Sequence, residues 1–263
     1  MPRIVVKEDN LNELNGNFTQ NYLAEPVFLN SVPKCGTHLV RNVMRMFVPV
    51  KQQYHQAFIQ HAVLRKHQVA FSQAMPHLSW GHLLFSDDAS ILLRHTHHIV
   101  QVRDPYDWVL ARARFFLSDS FQGSLEHLKG GNASIEEVIN MMIFGIHGKA
   151  PSLHEIFTHN AVAWLCTKAR LLRFEELLHH VRNLDTDDAE TFFSELLRDC
   201  GIRHLPDDWQ ERVRVGSNRK QSGTARENLA GGGDLVVPKE LSEQQKALVN
   251  YAAPGLRAML GYE

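Results

Sequence analysis

The sequence is 263 residues long, with 44% hydrophobic and 22% charged residues, as is ordinary for a soluble globular protein with a substantial core. A formal net charge of −1 argues against a general nucleic-acid binder, so any positive patch must be local. Three widely spaced cysteines without a CxxC motif favour a reduced, cytoplasmic setting without structural zinc. No apolar run approaches the ~20 residues that span a membrane, so we expect no membrane span.

The stretch 27–47 predicts a strand, a tight loop and a helix. Val27-Phe28-Leu29 has the apolar character of a buried strand, and apolar residues recur at helical spacing from Leu39 to Phe47. A loop that enters a helix N-terminus directs unpaired N–H groups and a positive dipole at one spot. Gly36 allows close approach to an anion, and Lys34 adds a positive charge. From spacing alone, a purely structural turn is about equally consistent, because GxxxxGK[ST] and GxGxxG are both missing.

The other elements alternate between strands and helices, which predicts an α/β fold with a mainly parallel central sheet. Residues 1–25 are polar and predict a strap or partly ordered tail. In chain order, the remaining predictions are a helix-compatible segment at 51–75, a strand at 79–84, a short helix at 90–94, a strand at 98–103, a helix at 105–116, a loop with a short helix at 118–133, helices at 135–146 and 161–165, a strand at 169–174, helices in 187–200, a basic and then Gly-rich stretch at 213–234, and a last helix from Ser242.

Two further residues of interest follow predicted strands. Arg103 ends one strand, and ligands of open α/β sheets bind at the carboxyl ends of strands. Lys34 and Arg103 would then grip an anion from two sides, although a surface ion pair is an equal alternative for Arg103. His82 follows another strand and is a candidate general base, with His77 as a competitor. The histidines at 95–98 lack the partner spacing of a metal site, so no metal is expected.

Taken together, four segments resemble the sulfotransferases that use 3′-phosphoadenosine 5′-phosphosulfate (PAPS). SVPKCGTH at 31–38 resembles the 5′-phosphosulfate loop, and IVQVRDPYDWVLA at 99–111 resembles the 3′-phosphate segment. LLRFEEL at 171–177 is similar to the family's RYEDL strand, and RKQSG at 219–223 is similar to its RKGxxG motif. The resemblance implies one domain over 1–263, with a central parallel sheet flanked by helices, a P-loop nucleotide-kinase-like architecture, and 213–234 lying over the donor site.

The resemblance also implies roles for individual residues. Lys34 would stabilise the leaving phosphate, and His82 would deprotonate the acceptor. Arg103 would bind the 3′-phosphate, helped by the basic motif near the C-terminus, and no metal would be needed. The implied donor-binding residues are Lys34, Cys35, Gly36, Thr37, His38, Arg103, Phe174, Arg219, Lys220 and Gly223.

Several positions depart from the family pattern. Leu39 stands where a tryptophan usually stacks on adenine, and Trp80 stands where a lysine is frequent. Phe174 replaces the tyrosine of RYEDL. Ala111 replaces a serine of the 3′-phosphate segment, for which a neighbouring arginine, Arg112 or Arg114, is a candidate substitute.

The implied activity is transfer of a sulfonate group from PAPS to a hydroxyl or amine of a small molecule, carbohydrate or natural product, leaving 3′-phosphoadenosine 5′-phosphate (PAP). Two alternatives are an ATP-dependent small-molecule kinase and a nucleotide-binding module that has lost its chemistry. The acceptor is not readable from the sequence. The oligomeric state is open, with a homodimer as one option.

Overall fold

The computed structural model describes residues 3–123, 125–129, 131–223 and 236–263. The strands are β1 Arg3–Ile4, β2 Val27–Ser31, β3 Ile59–Gln60, β4 Leu78–His82, β5 His97–Val102, β6 Phe121–Gln122 and β7 Arg170–Arg173. The α-helices are α1 Leu11–Asn15, α2 Thr37–Arg45, α3 Asp87–Leu92, α4 Pro105–Leu117, α5 Ile135–Phe144, α6 Leu153–Asn160, α7 Phe174–Arg182, α8 Asp187–Asp199, α9 Trp209–Ser217, α10 Glu243–Ala252 and α11 Leu256–Met259. Short 3₁₀ segments lie at Val50–Gln52, His61–Phe71, Glu126–Leu128, Val162–Trp164 and Arg219–Gln221.

These elements belong to two compact units. The sheet unit comprises 9–102 and 159–221, and the helical unit comprises 1–8, 103–158 and 222–263. The sheet unit therefore contains the predicted anion loop, and the helical unit begins its central segment at Arg103.

The sheet unit is built on a five-stranded sheet in the order β3-β4-β2-β5-β7, and every neighbouring pair is parallel. Strand β2 is buried at all its positions because it lies in the middle of the sheet. Since the strands are parallel, β2, β4, β5 and β7 all present their carboxyl ends at one edge. The predicted α/β class and parallel central sheet are confirmed.

Helix α2 covers one face of this sheet. Its apolar residues Val40, Val43 and Met44 are buried in a core cluster that also contains Leu29 of β2 and Val213 of α9. The apolar spacing that predicted the helix is thus the spacing of its core-facing side. This packing fixes the helix directly behind the loop that follows β2.

The helical unit has its own core. Trp108 of α4 is fully buried, and its ring centroid lies 5.2 Å from that of Phe157. Helix α4 begins as predicted, with the Asp104 side chain accepting a hydrogen bond from the Tyr106 N–H and with Pro105 at the first helical position. Helix α10 begins at the predicted capping box, which Ser242 forms with Gln245.

Residues 3–25 are more ordered than predicted. They contain β1, which pairs with β6 in the helical unit, and α1, which belongs to the sheet unit. Leu11 and Leu23 are buried, and the Asp9 carboxylate lies 2.8 Å from the Arg45 guanidinium. Because these anchors are single apolar or charged residues in a polar stretch, local composition did not reveal them.

Three other predictions needed correction. The segment 51–75 is not a continuous helix, since it contains β3 and a 3₁₀ segment. The strand predicted at 169–174 ends at Arg173, and Phe174 opens α7. The loop predicted at 213–234 starts too early, because its first residues finish α9, and 224–235 lie outside the described residues.

The described parts of the chain contain no helix long and apolar enough to cross a bilayer. The three cysteines are all free thiols, with Cys35 and Cys200 buried and Cys166 exposed. Burial raises the pKa of the Cys200 thiol to about 12.

Candidate active site

The loop between β2 and α2 has an unusual backbone. Lys34 has φ 69° and Gly36 has φ 88°, so two of its residues adopt the left-handed conformation. The Cys35 N–H donates to the Val32 carbonyl at 3.2 Å, which tightens the turn. Thr37 and His38 follow in the first helical turn, where N–H groups have no intrahelical acceptor. The loop therefore directs amides, a helix dipole and a half-buried lysine at one place, as an anion site requires.

Gly36 is required here by packing as well as by its backbone. A Cβ atom on Gly36 would overlap the ring of Phe174, lying 2.6 Å from its Cε2 atom. The structure thus brings Phe174, at the start of α7, against the loop after β2, although the two residues are far apart in sequence.

Gln101 lies beneath the same loop and was not singled out from the sequence. It is fully buried on β5, where it pairs with Ser31 of β2. Its Nε2 atom is 3.4 Å from the position of a Cβ on Gly36. Neither Oε1 nor Nε2 has a hydrogen-bond partner among the described residues. The sequence signal for Gln101 is a polar residue between the apolar residues Val100 and Val102 of β5.

His82 is the last residue of β4, beside the end of β2. Its Nδ1 atom lies 2.8 Å from the Ser31 carbonyl oxygen and 3.2 Å from the Ser31 hydroxyl, which is 2.6 Å from the Thr37 hydroxyl. Because a carbonyl can only accept, Nδ1 carries the proton and Nε2 keeps its lone pair. Burial lowers the pKa of His82 to about 4, an effect that the hydrogen bond to Ser31 opposes and the charge of Lys34 reinforces. His82 is therefore neutral near pH 7, in the tautomer that a base needs.

His77, the competing base, lies at the other end of the same strand. It immediately precedes β4, and its carbonyl accepts a hydrogen bond from the N–H of Val27, the first residue of β2. It stands at the amino edge of the sheet, whereas the loop stands at the carboxyl edge. The geometry favours His82 over His77.

Two positions that departed from the family pattern are apolar and packed. Leu39 is half-buried against the core cluster of the sheet unit, and Trp80 is 3% exposed within it. Both contribute to packing around α2, so neither needs a ligand to explain its presence.

In the helical unit, Arg103 directly follows β5 and is only 21% exposed. One of its guanidinium nitrogens lies 4.0 Å from the carboxylate of Asp107, one helical turn on. Burial lowers the pKa of Arg114, and the nearby charge of Arg103 lowers it further. Arg103 and Arg114 therefore form a local positive pair, which Asp107 balances in part.

Arg112 does not fit the role suggested for it. Its guanidinium donates to the carbonyls of Met142 at 2.9 Å and Pro151 at 2.7 Å, and it stacks on Trp108. An arginine held in this way ties α4 to α5 inside the unit. Arg114, the other candidate substitute for the missing serine at Ala111, also donates to a backbone carbonyl, that of Pro238 at 2.6 Å.

The basic motif near the C-terminus is split between the units. Arg219 and Lys220 are exposed on a 3₁₀ turn that is tied to α2 by the Asn42 side chain, which donates to the Gln221 carbonyl at 3.2 Å. Gly223 belongs to the helical unit, where its carbonyl accepts from the Lys7 N–H at 3.0 Å. The glycine run at 231–233 lies outside the described residues.

Within the described ranges, no group of three or more His, Cys, Asp or Glu side chains is arranged to hold a metal ion. In the sheet unit, the candidate site comprises the loop after β2, with Lys34, and the neutral His82.

No protein-family model matches this sequence, and no curated protein matches it either. Among solved structures, the fold is similar to that of mouse sulfotransferase SULT7A1 complexed with PAP. The TM-score is 0.59 at 14% sequence identity, and the match covers 98% of this chain and 95% of that chain. At this identity the likeness shows a shared fold. The class that the comparison defines is an α/β protein with the sulfotransferase fold.

Proposed function

We propose that this protein is a sulfotransferase that moves a sulfonate group from PAPS to a hydroxyl or amine acceptor by in-line displacement. One observation carries the proposal. A left-handed, lysine-bearing loop at the end of β2 adjoins a neutral histidine at the end of β4, whose Nε2 lone pair is available. The likeness to a sulfotransferase that was crystallised with PAP supports the same function.

The residues of the loop fit a phosphosulfate group. Lys34 and Gly36 have left-handed backbone, and the first-turn amides of Thr37 and His38 point out of the helix end. The buried, unpartnered amide of Gln101 beneath the loop adds a hydrogen-bond donor and an acceptor at the same place. In the proposal, Lys34, Cys35, Gly36, Thr37 and His38 hold the 5′-phosphosulfate.

The chemical step needs little covalent work from the protein. His82 Nε2 takes the proton of the acceptor as the acceptor oxygen or nitrogen forms its bond to sulfur. The bond between sulfur and the bridging oxygen breaks, and the Lys34 ammonium stabilises the charge that grows on that oxygen. Positioning and charge stabilisation would supply most of the rate enhancement, as in phosphoryl transfer.

The 3′-phosphate end of the donor is assigned by resemblance. Arg103 would hold this phosphate, with Arg219, Lys220 and Gly223 completing the grip, and Phe174 would contribute beside the loop. No metal ion is assigned a role. We place the acceptor among small molecules, carbohydrates or natural products, and we propose a cytoplasmic location.

Nucleotide choice tests the proposal. PAP should raise the melting temperature, whereas ATP with Mg²⁺ should not, because a ligand at 100 times its Kd stabilises the folded state by about 2.7 kcal/mol. The opposite order would favour a kinase. Binding of PAP with no turnover of PAPS on any hydroxyl or amine acceptor would favour a module that has lost its chemistry.

A variant of Arg103 tests binding of the 3′-phosphate end of the donor separately from binding of the 5′ end. Adenosine 5′-monophosphate lacks the 3′-phosphate, so wild type should bind PAP more tightly than this nucleotide. Arg103→Ala should remove most of that preference, about tenfold to a hundredfold, because a charge-assisted hydrogen bond is lost. An unchanged preference would place the 3′-phosphate elsewhere.

A further inference from the structure

Helix α2 carries three basic side chains at helical spacing. His38, Arg41 and Arg45 recur at intervals of three and four residues, so they share one side of the helix. Arg45 is neutralised, since it lies 2.8 Å from the Asp9 carboxylate and donates to Gln53 at 3.0 Å. His38 is neutral, because burial first, and then the charges of Arg41 and Lys34, lower its pKa to about 3.

Arg41 is different from its neighbours on the helix. No carboxylate of the described chain lies within ion-pair distance of its guanidinium, and its Nε atom is buried without a hydrogen-bond partner there. Burial, reinforced by Arg45, lowers the pKa of Arg41 to about 10, so it stays charged at neutral pH. The Asp9 carboxylate opposes this shift from a distance, because it is bound directly to Arg45. A partly desolvated charge without a directly bound partner is costly, and folded proteins generally pair such groups.

An indole ring holds this guanidinium in place. The Arg41 guanidinium carbon lies 4.2 Å from the ring centroid of Trp80, which is a cation–π contact. Trp80 is fixed in the core, and the His55 ring packs against its edge at 5.6 Å. Arg41 itself is half-buried, so it is more exposed than the ring it lies on. A rigidly held fork of this kind matches the two oxygens of a carboxylate, sulfate or phosphate.

The position of this platform relates it to the proposed base. Trp80 and His82 are two residues apart on β4, so their side chains project from the same face, about 7 Å apart along the strand. Arg41 also lies about 6 Å along α2 from the first-turn amides that serve the donor. An anionic group on Arg41 would therefore sit beside an acceptor whose hydroxyl reaches His82.

We propose that Arg41, held against Trp80, binds an anionic group of the acceptor. The acceptor class is then a hydroxyl compound that also carries a carboxylate, sulfate or phosphate. This assignment rests on the proposed function, because it names the substrate class of the same site.

Two probes of the same shape test the charge requirement. 4-Hydroxybenzoate carries a carboxylate opposite its hydroxyl, and 4-hydroxybenzamide is its neutral counterpart. Affinities are measured by titration calorimetry, on the protein alone and on its complex with PAP. Wild type should prefer the carboxylate by about tenfold to a hundredfold, because the guanidinium forms charge-assisted hydrogen bonds with it.

Variants then locate the preference. Arg41→Gln should bring the ratio of the two affinities close to one without weakening the amide, and Arg41→Lys should keep part of it as a point charge. Arg94→Gln removes the same charge from an exposed site of the sheet unit and should leave the ratio unchanged. Thermal unfolding of each variant verifies that it is folded.

Each outcome bears on one proposal. Equal affinities for the two probes in wild type, or a preference that survives in both Arg41 variants, would overturn the anionic-acceptor assignment. A loss of PAPS affinity in Arg41→Gln with the probe ratio unchanged would also overturn it, and would give Arg41 to the donor. Failure of PAP to bind counts against the sulfotransferase proposal, whereas the probe ratio on the protein alone tests Arg41 separately.

Discussion

His82 donates its Nδ1 proton to the carbonyl oxygen of Ser31 across 2.8 Å, so the backbone of one strand sets the tautomer of a histidine on the next. This hydrogen bond holds the neutral imidazole with its Nε2 atom unprotonated. This relationship leads to a prediction about the pH dependence of the reaction.

We expect kcat/KM, whose pH dependence reports the pKa values of the free protein, to stay nearly constant as the pH falls from 7 to 5. The pKa of His82 is lowered to about 4, so the neutral base is lost only as the pH falls through that value. A histidine of ordinary pKa would lose half of its neutral form near pH 6.5. An acid limb centred near pH 6.5 would contradict the assignment of His82 as the base.

The matched variants for this prediction come from the same strand. His82→Gln should lower kcat by about 100- to 10,000-fold, the usual contribution of a general base. His77→Gln, at the amino end of β4, should keep nearly the rate of wild type. Comparable losses in both variants would point to a structural effect on the strand.

Lys34 combines a proposed catalytic charge with a left-handed backbone. Lys34→Ala and Lys34→Gly both remove the ammonium, and both should lower kcat by about 100- to 1,000-fold through loss of electrostatic stabilisation. The two should differ in stability, because glycine adopts φ 69° without strain and alanine does not. Denaturant unfolding should find Lys34→Gly the more stable by about 1–2 kcal/mol. Near-normal turnover in either variant would remove the catalytic role.

Gly36 should tolerate a methyl group far less well than another left-handed glycine. Gly255 has φ 72° and no atom within 4 Å of the place where a Cβ would lie, whereas Gly36 faces the Phe174 ring. Gly255→Ala should therefore lose about 1–2 kcal/mol of unfolding free energy through backbone strain alone. Gly36→Ala should lose more, and should also weaken PAP binding. Equal losses in the two variants would mean that the Phe174 ring moves aside freely.

Gln101 offers a test of what an unpartnered amide does to stability. Gln101→Leu should raise the unfolding free energy by about 1–3 kcal/mol, because it removes a buried polar group that makes no hydrogen bond. Gln53 is the matched control, since it is also buried but accepts from Arg45 and donates to the carbonyls of Arg45 and Val48. Gln53→Leu should destabilise the protein. A loss of stability in Gln101→Leu would show that its amide is satisfied in solution.

The sequence predicted those parts of the fold whose signals are local. The strand and helix of the loop region, the start of α4 at Asp104 and the start of α10 at Ser242 are each marked by a few adjacent residues. It missed β3, because two residues, Ile59 and Gln60, are too few to show a period. Helix α1 was missed for the same reason, since it is one short turn in a polar segment.

The site was predictable only in part, because much of it depends on register and packing. Placing Gln101 beneath Gly36 requires the pairing of β5 with β2, which periodicity does not supply. The stacking of Arg41 on Trp80 joins α2 to β4, and the commitment of Arg112 to carbonyls of the helical unit depends on which side of α4 faces inward. The presence of several basic residues near a motif does not show which arginine binds a ligand and which one stabilises the fold.

The different accessibilities of the three thiols provide a way to measure unfolding of the chain. Cys166 is exposed, whereas Cys35 inside the loop and Cys200 in the core are buried, and a thiol whose pKa is about 12 yields almost no reactive thiolate. An alkylating reagent should therefore add one label to the folded chain and three to the unfolded chain. The intact mass of the labelled protein would give the number of thiols that have become accessible. Peptide mapping of the Cys35 label would show whether a ligand in the loop slows its labelling, without any assay of turnover.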